Sequence, residues 1–354
     1  MSLEETAFTL PPMELTVIVP ARNEQESLLA CLASLVAQSE PAWELGRDWE
    51  LIVVDDASTD DTPRLAASVP GIILLEAPML DIHNGAGFTG KTNACWAGAQ
   101  AARGKLLLFT DADTIHEPGS LSRARHEMEK YSVAMLSYSP RQLTSGLLQK
   151  MLMPLVFAEL AVAYPMKRVN APEDRTAAAN GQFLMVDAEA YFSVGGHKAI
   201  GREVLEDVAL ARVFKRAGKP LRFRYAPDAL ATRMYRTNAA MFEGWTKNLA
   251  LLFIAPVPMA LVRLLDFLLI TVIPFIAVEW PFPTTLPRLL LWVVWLRVLW
   301  RFYARVSKSN FSPGECALSL LGLPLFVFLL IRSTVQVRIV KTVTWKGRTY
   351  KTGR

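Results

Sequence analysis

Three short apolar runs, Leu15–Pro20, Leu51–Val54 and Leu106–Thr110, each stop abruptly at a cluster of polar residues. They are too short for buried helices and rich in Val, Ile and Leu, as strands covered on both faces are. A fourth run of the same kind, Ile72–Glu76, lies between the second and the third. Helical patterns at about Glu24–Gln38, Asp60–Ser68 and Thr92–Ala102 separate them. This alternation predicts an α/β fold, a mostly parallel sheet with helices on both faces. In such sheets ligands sit beyond the carboxyl ends of the strands. The polar clusters Ala21–Glu24, Asp55–Asp61 and Asp111–Asp113 fall at those ends, so one crevice can collect them.

The third cluster carries the sharpest chemistry. Asp111 and Asp113 are spaced i, i+2, and in an extended chain both carboxylates point the same way. Two hard oxygen donors on one side suit a divalent cation shared with substrate phosphates. The bland alternative is an acidic loop after a buried strand. Val53-Val54-Asp55-Asp56 brings two adjacent carboxylates to the same edge, where one can accept the imide N–H of uracil. Asp60 or Asp61 is better placed to cap the next helix. Val17-Ile18-Val19-Pro20-Ala21-Arg22-Asn23-Glu24 suits a nucleoside cradle, or equally an ordinary strand–turn–helix. Further on, Gly181–Val186 reads as a strand. Glu206–Ala217 reads as a helix that Gly218 stops, its leading acids matched to the helix dipole.

The last third has a different character. Hydrophobic residues make up 52% of the chain, and the excess is concentrated in Leu249–Trp280, Leu286–Phe302 and Ala317–Ile331. Stretches of that length predict membrane helices. Leu147–Met166, with Lys150, Glu159, Pro154 and Pro165, predicts a broken interfacial or core helix. Arg263, Asp266, Arg297 and Arg301 are expected to snorkel or to face a protein-lined path. The net charge of +5 then reads as Lys and Arg facing the cytosol and anionic lipid, not nucleic acid. The basic loop Arg301–Asn310 and the basic tail Val337–Arg354 are both expected on the cytosolic side, an arrangement that three simple crossings do not give. Cys31, Cys95 and Cys316 make no paired framework and fit a reducing compartment as small filler. The polar N-terminus shows no signal peptide or leading anchor. The division expected is residues 1–248 as a cytosolic domain, 249–336 in the membrane and 337–354 as a cytosolic tail, in a multi-pass protein of the inner cell membrane.

Taken in order, VIVPARNE, VVDDASTDDT and FTDAD resemble the family 2 glycosyltransferases of the GT-A fold, a Rossmann-like architecture. Gly181-Gln182-Phe183-Leu184-Met185, Gly195-Gly196-His197 and Leu205-Glu206-Asp207 continue the likeness. Arg233–Arg236, Glu243–Asn248 and Thr344–Tyr350 resemble a membrane branch that acts on carotenoid acids or accompanies hopene synthesis. The QxxRW signature of processive members is absent, which argues against a polymer-making synthase. The resemblance implies an inverting transfer from a nucleotide diphospho-sugar, UDP-glucose foremost, to a hydrophobic lipid acceptor such as a carotenoid or hopanoid. It assigns Asp207 as catalytic base. Pro20, Ala21, Asn23, Glu24, Asp55, Asp56, Lys91, Asp111 and Asp113 would bind the nucleotide-sugar, with Mg²⁺ or Mn²⁺ on Asp113 and Asp111. Gly181, His197, Glu206, Trp245 and Lys247 would lie on the acceptor side, Trp245 and Lys247 as a lid. A competing pattern is Gly85–Thr92, which fits GxxxxGK[ST] and would make the chain a membrane-attached P-loop NTPase. A P-loop needs a strand feeding its first Gly, and here the nearest strand ends near Glu76. His83 and His116 read as polar loop residues.

Overall fold

The computed structural model describes residues 13–40, 42–80, 87–345 and 347–351, the side chains of 344, 345, 350 and 351 excepted. The polar N-terminus, His83 and the Gly85–Ala86 start of the P-loop pattern lie outside the described residues. The chain divides into two compact units: Met1–Pro140 with Ala177–Ala231, and Arg141–Thr176 with Thr232–Arg354. Two segments expected with the cytosolic domain of residues 1–248, namely 141–176 and 232–248, group with the apolar helices.

The first unit is built on a seven-stranded sheet. Its strands are β1 (Met13–Ala21), β2 (Trp49–Asp55), β3 (Ile72–Glu76), β4 (Gly104–Phe109), β5 (Met135–Ser139), β6 (Leu184–Asp187) and β7 (Leu221–Tyr225). They are ordered β3-β2-β1-β4-β6-β5-β7. The sheet is mostly parallel, as the alternation predicts; β6 alone runs antiparallel to its neighbours β4 and β5. Every residue of β2 is buried, which is why its sequence runs Trp-Glu-Leu-Ile-Val-Val without polar alternation. The helices joining the first four strands are α1 (Leu28–Val36), α2 (Thr62–Ala67) and α3 (Gly90–Ala101), with α4 (Ser120–Tyr131) after them. Leu28, Leu32 and Leu35 of α1 pack with Leu15, Val17 and Val19 of β1 in one core. At about 25 cal/mol per Å² of apolar surface removed from water, burial on this scale drives the unit's folding. Helix α1 begins four residues later than its periodicity predicts. Asn23 takes φ +52°, outside the helical range, so the chain turns once before the helix starts.

The second unit contains α5 (Gly146–Ala163), then, beyond the first unit's α6 (Glu206–Arg216), α7 (Asn238–Leu252), α8 (Pro256–Glu279), α9 (Thr285–Val306) and α10 (Pro313–Thr334). Helix α5 runs through Pro154 unbroken, contrary to expectation. An internal proline costs about 3 kcal/mol, and here Leu152, Met153, Leu155 and Val156 around it are all buried in the unit's core. The apolar run at Leu249–Trp280 is not one segment, because the helix stops at Phe253 and restarts at Pro256. Among the described residues, three helices are long and apolar enough to cross a membrane: Gly146–Ala163, Pro256–Glu279 and Pro313–Val340. They support membrane association. Helix α9 is not among them, since Arg288, Arg297, Arg301 and Arg305 punctuate it. The charges inside these helices pair with one another. Arg263 Nη1 meets Asp266 Oδ2 at 2.8 Å, Arg301 bonds the same carboxylate, and Arg305 Nη1 meets Glu159 Oε2 at 3.1 Å. The basic tail is a hairpin, Thr342–Trp345 antiparallel to Arg348–Lys351.

Candidate active site

The pairing Ala21↔Asp55 and Ile18↔Phe109 brings the ends of β1, β2 and β4 to one edge of the first unit. Two loops there are laced together. Arg22 Nη1 donates to the carbonyls of Asp56 at 2.5 Å and Ala57 at 3.0 Å. Asn23 Oδ1 accepts from Thr59 N at 2.9 Å, and Glu24 N donates to Thr62 Oγ1 at 2.8 Å. Asn23 therefore spends its side chain on shaping the loop. Asp55 is buried; its Oδ2 accepts from Ser58 N at 3.1 Å, while Oδ1 has no hydrogen-bond partner among the described residues. A buried acceptor left open at a strand end is able to take a ligand N–H.

Deeper in the same unit, Pro20, Lys91, Asp111, Gly181, His197, Glu206 and Asp207 line one small pocket. Sequence reasoning named all seven. It missed Cys95, Phe109, Thr110 and Leu184, which complete the lining. Cys95 had been read as filler, but it lies one helical turn after Lys91, on the same face of α3. Lys91 is the hub: its Nζ is 2.7 Å from Asp111 Oδ1 and 2.7 Å from Glu206 Oε1. Burial alone would lower its pKa, but Asp111 and then Glu206 outweigh that and hold the ammonium well above its usual range. Thr92 is committed elsewhere. Its side chain closes a capping box with Thr89 and donates to Gly201 O at 2.6 Å. Strand β3 ends at Glu76 and residues 77–80 after it form no strand, so among the described residues neither the strand nor the free hydroxyl that a P-loop needs is in place.

Asp207 opens α6, its Oδ2 accepting from Gly181 N at 2.9 Å and its Oδ1 from Val208 N at 2.7 Å. Burial, and then the charge of Glu206, push its pKa up to about 6 against the opposing pull of Lys91. A carboxylate so placed is poised to take a proton near neutral pH. His197 is fixed by Tyr191, whose hydroxyl accepts from His197 N at 3.0 Å and lies 2.8 Å from Nδ1. Burial, and then Lys91, lower its pKa to about 3, so the ring is neutral. Gly196 permits this close fit, since a Cβ there would lie 2.4 Å from Tyr191 Cζ.

Gly181 forms part of the pocket wall. A Cβ added there would lie 3.0 Å from Lys91 Nζ and 3.2 Å from Glu206 Oε1. The lysine end is flexible, so Gly181→Ala is expected to fold and to displace Lys91. Turnover should drop about tenfold through misplacement, read by steady-state kinetics beside an unchanged melting curve.

Asp111 and Asp113 supply hard oxygen donors at the end of β4, and the Lys91 ammonium already on Asp111 shows that the position draws a cation. This donor pair fits a divalent ion that takes its other ligands from phosphate and water. Among the described residues no group of three or more His, Cys, Asp and Glu side chains gathers to hold a metal. Trp245 and Lys247 lie in the second unit. The Trp245 ring is 2% exposed and packs against Tyr235 and Phe157, so it is core and not an open lid. His116, expected in a polar loop, is buried in the short strand Thr114–His116.

The sequence model of Glycosyl transferase family 2 matches residues 16–207. That range is more than half of the 354 residues. The chain belongs to glycosyltransferase family 2. Its strand-end carboxylates and Asp207 fall inside the matched range. Among curated relatives, the 4,4'-diaponeurosporenoate glycosyltransferase of Staphylococcus aureus is 28% identical over 240 residues, 67% of this chain. The match spans 60% of that relative's length. Among solved structures, the mannosyltransferase PcManGT of Pyrobaculum calidifontis, in complex with GDP-Man and Mn²⁺, is 17% identical with a TM-score of 0.48, covering 94% of this chain and 90% of that one. Glucosyl-3-phosphoglycerate synthase of Mycobacterium tuberculosis, in complex with Mn²⁺ and UDP, is 20% identical with a TM-score of 0.42, covering 64% and 73%.

Proposed function

We propose that this chain transfers a sugar, with inversion, from a nucleotide diphospho-sugar to a hydrophobic lipid acceptor at the membrane. UDP-glucose is the donor favoured, and an isoprenoid of the carotenoid or hopanoid kind the acceptor. The observation that carries the reading is the single pocket in which Lys91 joins Asp111 to Glu206 beside a carboxylate, Asp207, pushed up to about 6. The name of the Staphylococcus aureus relative supports the acceptor class, and the three apolar helices support delivery from a membrane.

Asp55, with its open buried oxygen, and Asp56 read the base at the ends of β1 and β2. Asp111 and Asp113 would hold Mg²⁺ or Mn²⁺, which when bound offsets negative charge on the leaving nucleoside diphosphate. Lys91, a fixed cation in the same pocket, adds to that field. Asp207 takes the proton of the acceptor hydroxyl, and the freed oxygen attacks the anomeric carbon in line from the face opposite the leaving group. Glu206, paired with Lys91, sits beside Asp207, and its negative charge raises the basicity of that carboxylate. The catalytic unit and the basic segments face the cytosol in a multi-pass arrangement.

The test is thermal stabilisation of detergent-purified protein by UDP-glucose, UDP-galactose, GDP-mannose and ATP, each with and without Mn²⁺. Stabilisation by a nucleotide-sugar only with Mn²⁺ is expected. Stabilisation by ATP alone, lost in Lys91→Ala, would replace this reading with a nucleotide hydrolase.

A further inference from the structure

Thr110, the last residue before Asp111, is fully buried, and its hydroxyl sits at a junction. Oγ1 donates to Gln182 O at 2.7 Å; it also lies 3.1 Å from His116 Nε2 and 3.0 Å from Thr114 Oγ1. Thr114 in turn donates its own proton to Asp111 O at 2.7 Å. A hydroxyl has one proton to give. Both are spent on carbonyls, so the group that donates to Thr110 is the ring N–H of His116. The imidazole proton is therefore on Nε2, and Nδ1, buried without a partner, is the bare nitrogen.

Three further bonds extend the string. Gly181 N, one residue before Gln182, donates to Asp207 Oδ2 at 2.9 Å. On the far side of the segment, Asn180 N donates to Ser137 Oγ at 2.8 Å and Gln182 N to Asn180 Oδ1 at 2.9 Å. Residues 180–182 are thus pinned from two sides, by Ser137 of β5 and by Thr110 at the end of β4. Cys31 Sγ, 3.6 Å from Asp111 O, steadies the other end of the same turn.

We infer that Thr110, oriented by the N–H of His116, is a positioning residue that fixes the Asp207 carboxylate relative to the Asp111 carboxylate through residues Gly181 and Gln182, whose backbone N–H and carbonyl carry the two bonds. The inference takes from the proposed function only that Asp207 is the base. The string runs from the turn that follows β4 and carries the donor-side acids to the amide that seats the acceptor-side one. The two halves of the reaction share one hydroxyl.

Thr110→Val keeps the shape and deletes the hydroxyl, removing the bond to Gln182 O and leaving His116 Nε2–H only the longer contact to Thr114 Oγ1 at 3.3 Å. Thr110→Ser keeps the bond. The expected result is a kcat about tenfold or more lower for Val, with the donor KM within about threefold of wild type and the rate recovered in Ser. His116→Phe should lower kcat in the same way and His116→Gln, which retains an amide N–H, should recover it; this pair decides if Thr110→Val does not fold. Hydrogen exchange of the 178–187 segment needs no turnover and should quicken in Val and Phe but not in Ser and Gln. Unchanged kcat and unchanged exchange in Thr110→Val and His116→Phe would overturn the inference. Equal loss of kcat and donor affinity in all four variants would overturn it too, by reducing the string to packing. Faster exchange in a protein whose wild type transfers no sugar would sustain the string and sink the proposed function instead.

Discussion

Asp207→Asn is expected to lower kcat on a hydroxyl acceptor by about 10²–10⁴-fold, the range that a positioned general base contributes. The substitution keeps the shape and one of the two acceptor oxygens that Gly181 N and Val208 N bond. Donor binding, which the proposed function assigns to Asp55, Asp56, Asp111 and Asp113, should survive, so nucleotide-sugar affinity and kcat part company. The pH dependence gives a second reading of the same residue. The base must be ionised, and with a pKa pushed up to about 6 wild-type kcat should fall as pH drops through 6 and level off above it. The sign for stability is opposite. A carboxyl whose folded pKa is raised favours the folded state below its ordinary value near 4 and loses that contribution as pH rises through 6. A variant with full kcat on a hydroxyl acceptor would remove Asp207 from the base role. Full kcat only on a carboxylic acid acceptor would mean that the natural nucleophile arrives already ionised.

Asp113→Ala should cut kcat by about 10²-fold or more, the several kcal/mol that a bound divalent ion supplies to a leaving phosphate. It should also abolish the Mn²⁺-dependent part of nucleotide-sugar stabilisation. Asp113 is the cleaner of the pair to change, because Asp111→Ala also releases Lys91, which holds Asp111 Oδ1 at 2.7 Å. Calorimetric titration with Mn²⁺ in the presence of UDP checks the effect without turnover. Unaltered Mn²⁺ affinity in Asp113→Ala would move the ion elsewhere.

Much of the first unit was legible because its signals are local. Strands β1 to β4 are apolar runs of the right length, and their polar ends lie together because parallel strands all end on one edge. Asp111, Asp207 and Lys91 could be named one at a time, but their meeting could not be read. Lys91 and Glu206 are 115 positions apart, and only the fold decides that one ammonium serves both Glu206 and Asp111. Strand β6 was recognisable as a strand. Its antiparallel insertion between β4 and β5 was not, since burial on both faces erases the pattern that distinguishes direction. His116 was misjudged because histidine is polar on average, and nothing nearby in sequence announces Thr110 as its partner. The second unit misled for a different reason. Apolar content locates helices but not their breaks: the chain restarts at Pro256 yet runs straight through Pro154, because surrounding packing decides what a proline costs.

The measurement that bears most directly on the account is transfer of radiolabelled sugar from UDP-glucose, and in parallel from GDP-mannose, to an isoprenoid acceptor. It uses the full chain in lipid vesicles with Mn²⁺. The account predicts label in the apolar-solvent phase, attached with the anomeric configuration opposite to the donor's and absent with Asp207→Asn. Retained configuration, or label that stays in water with every donor and acceptor while the protein still binds nucleotide, would contradict it.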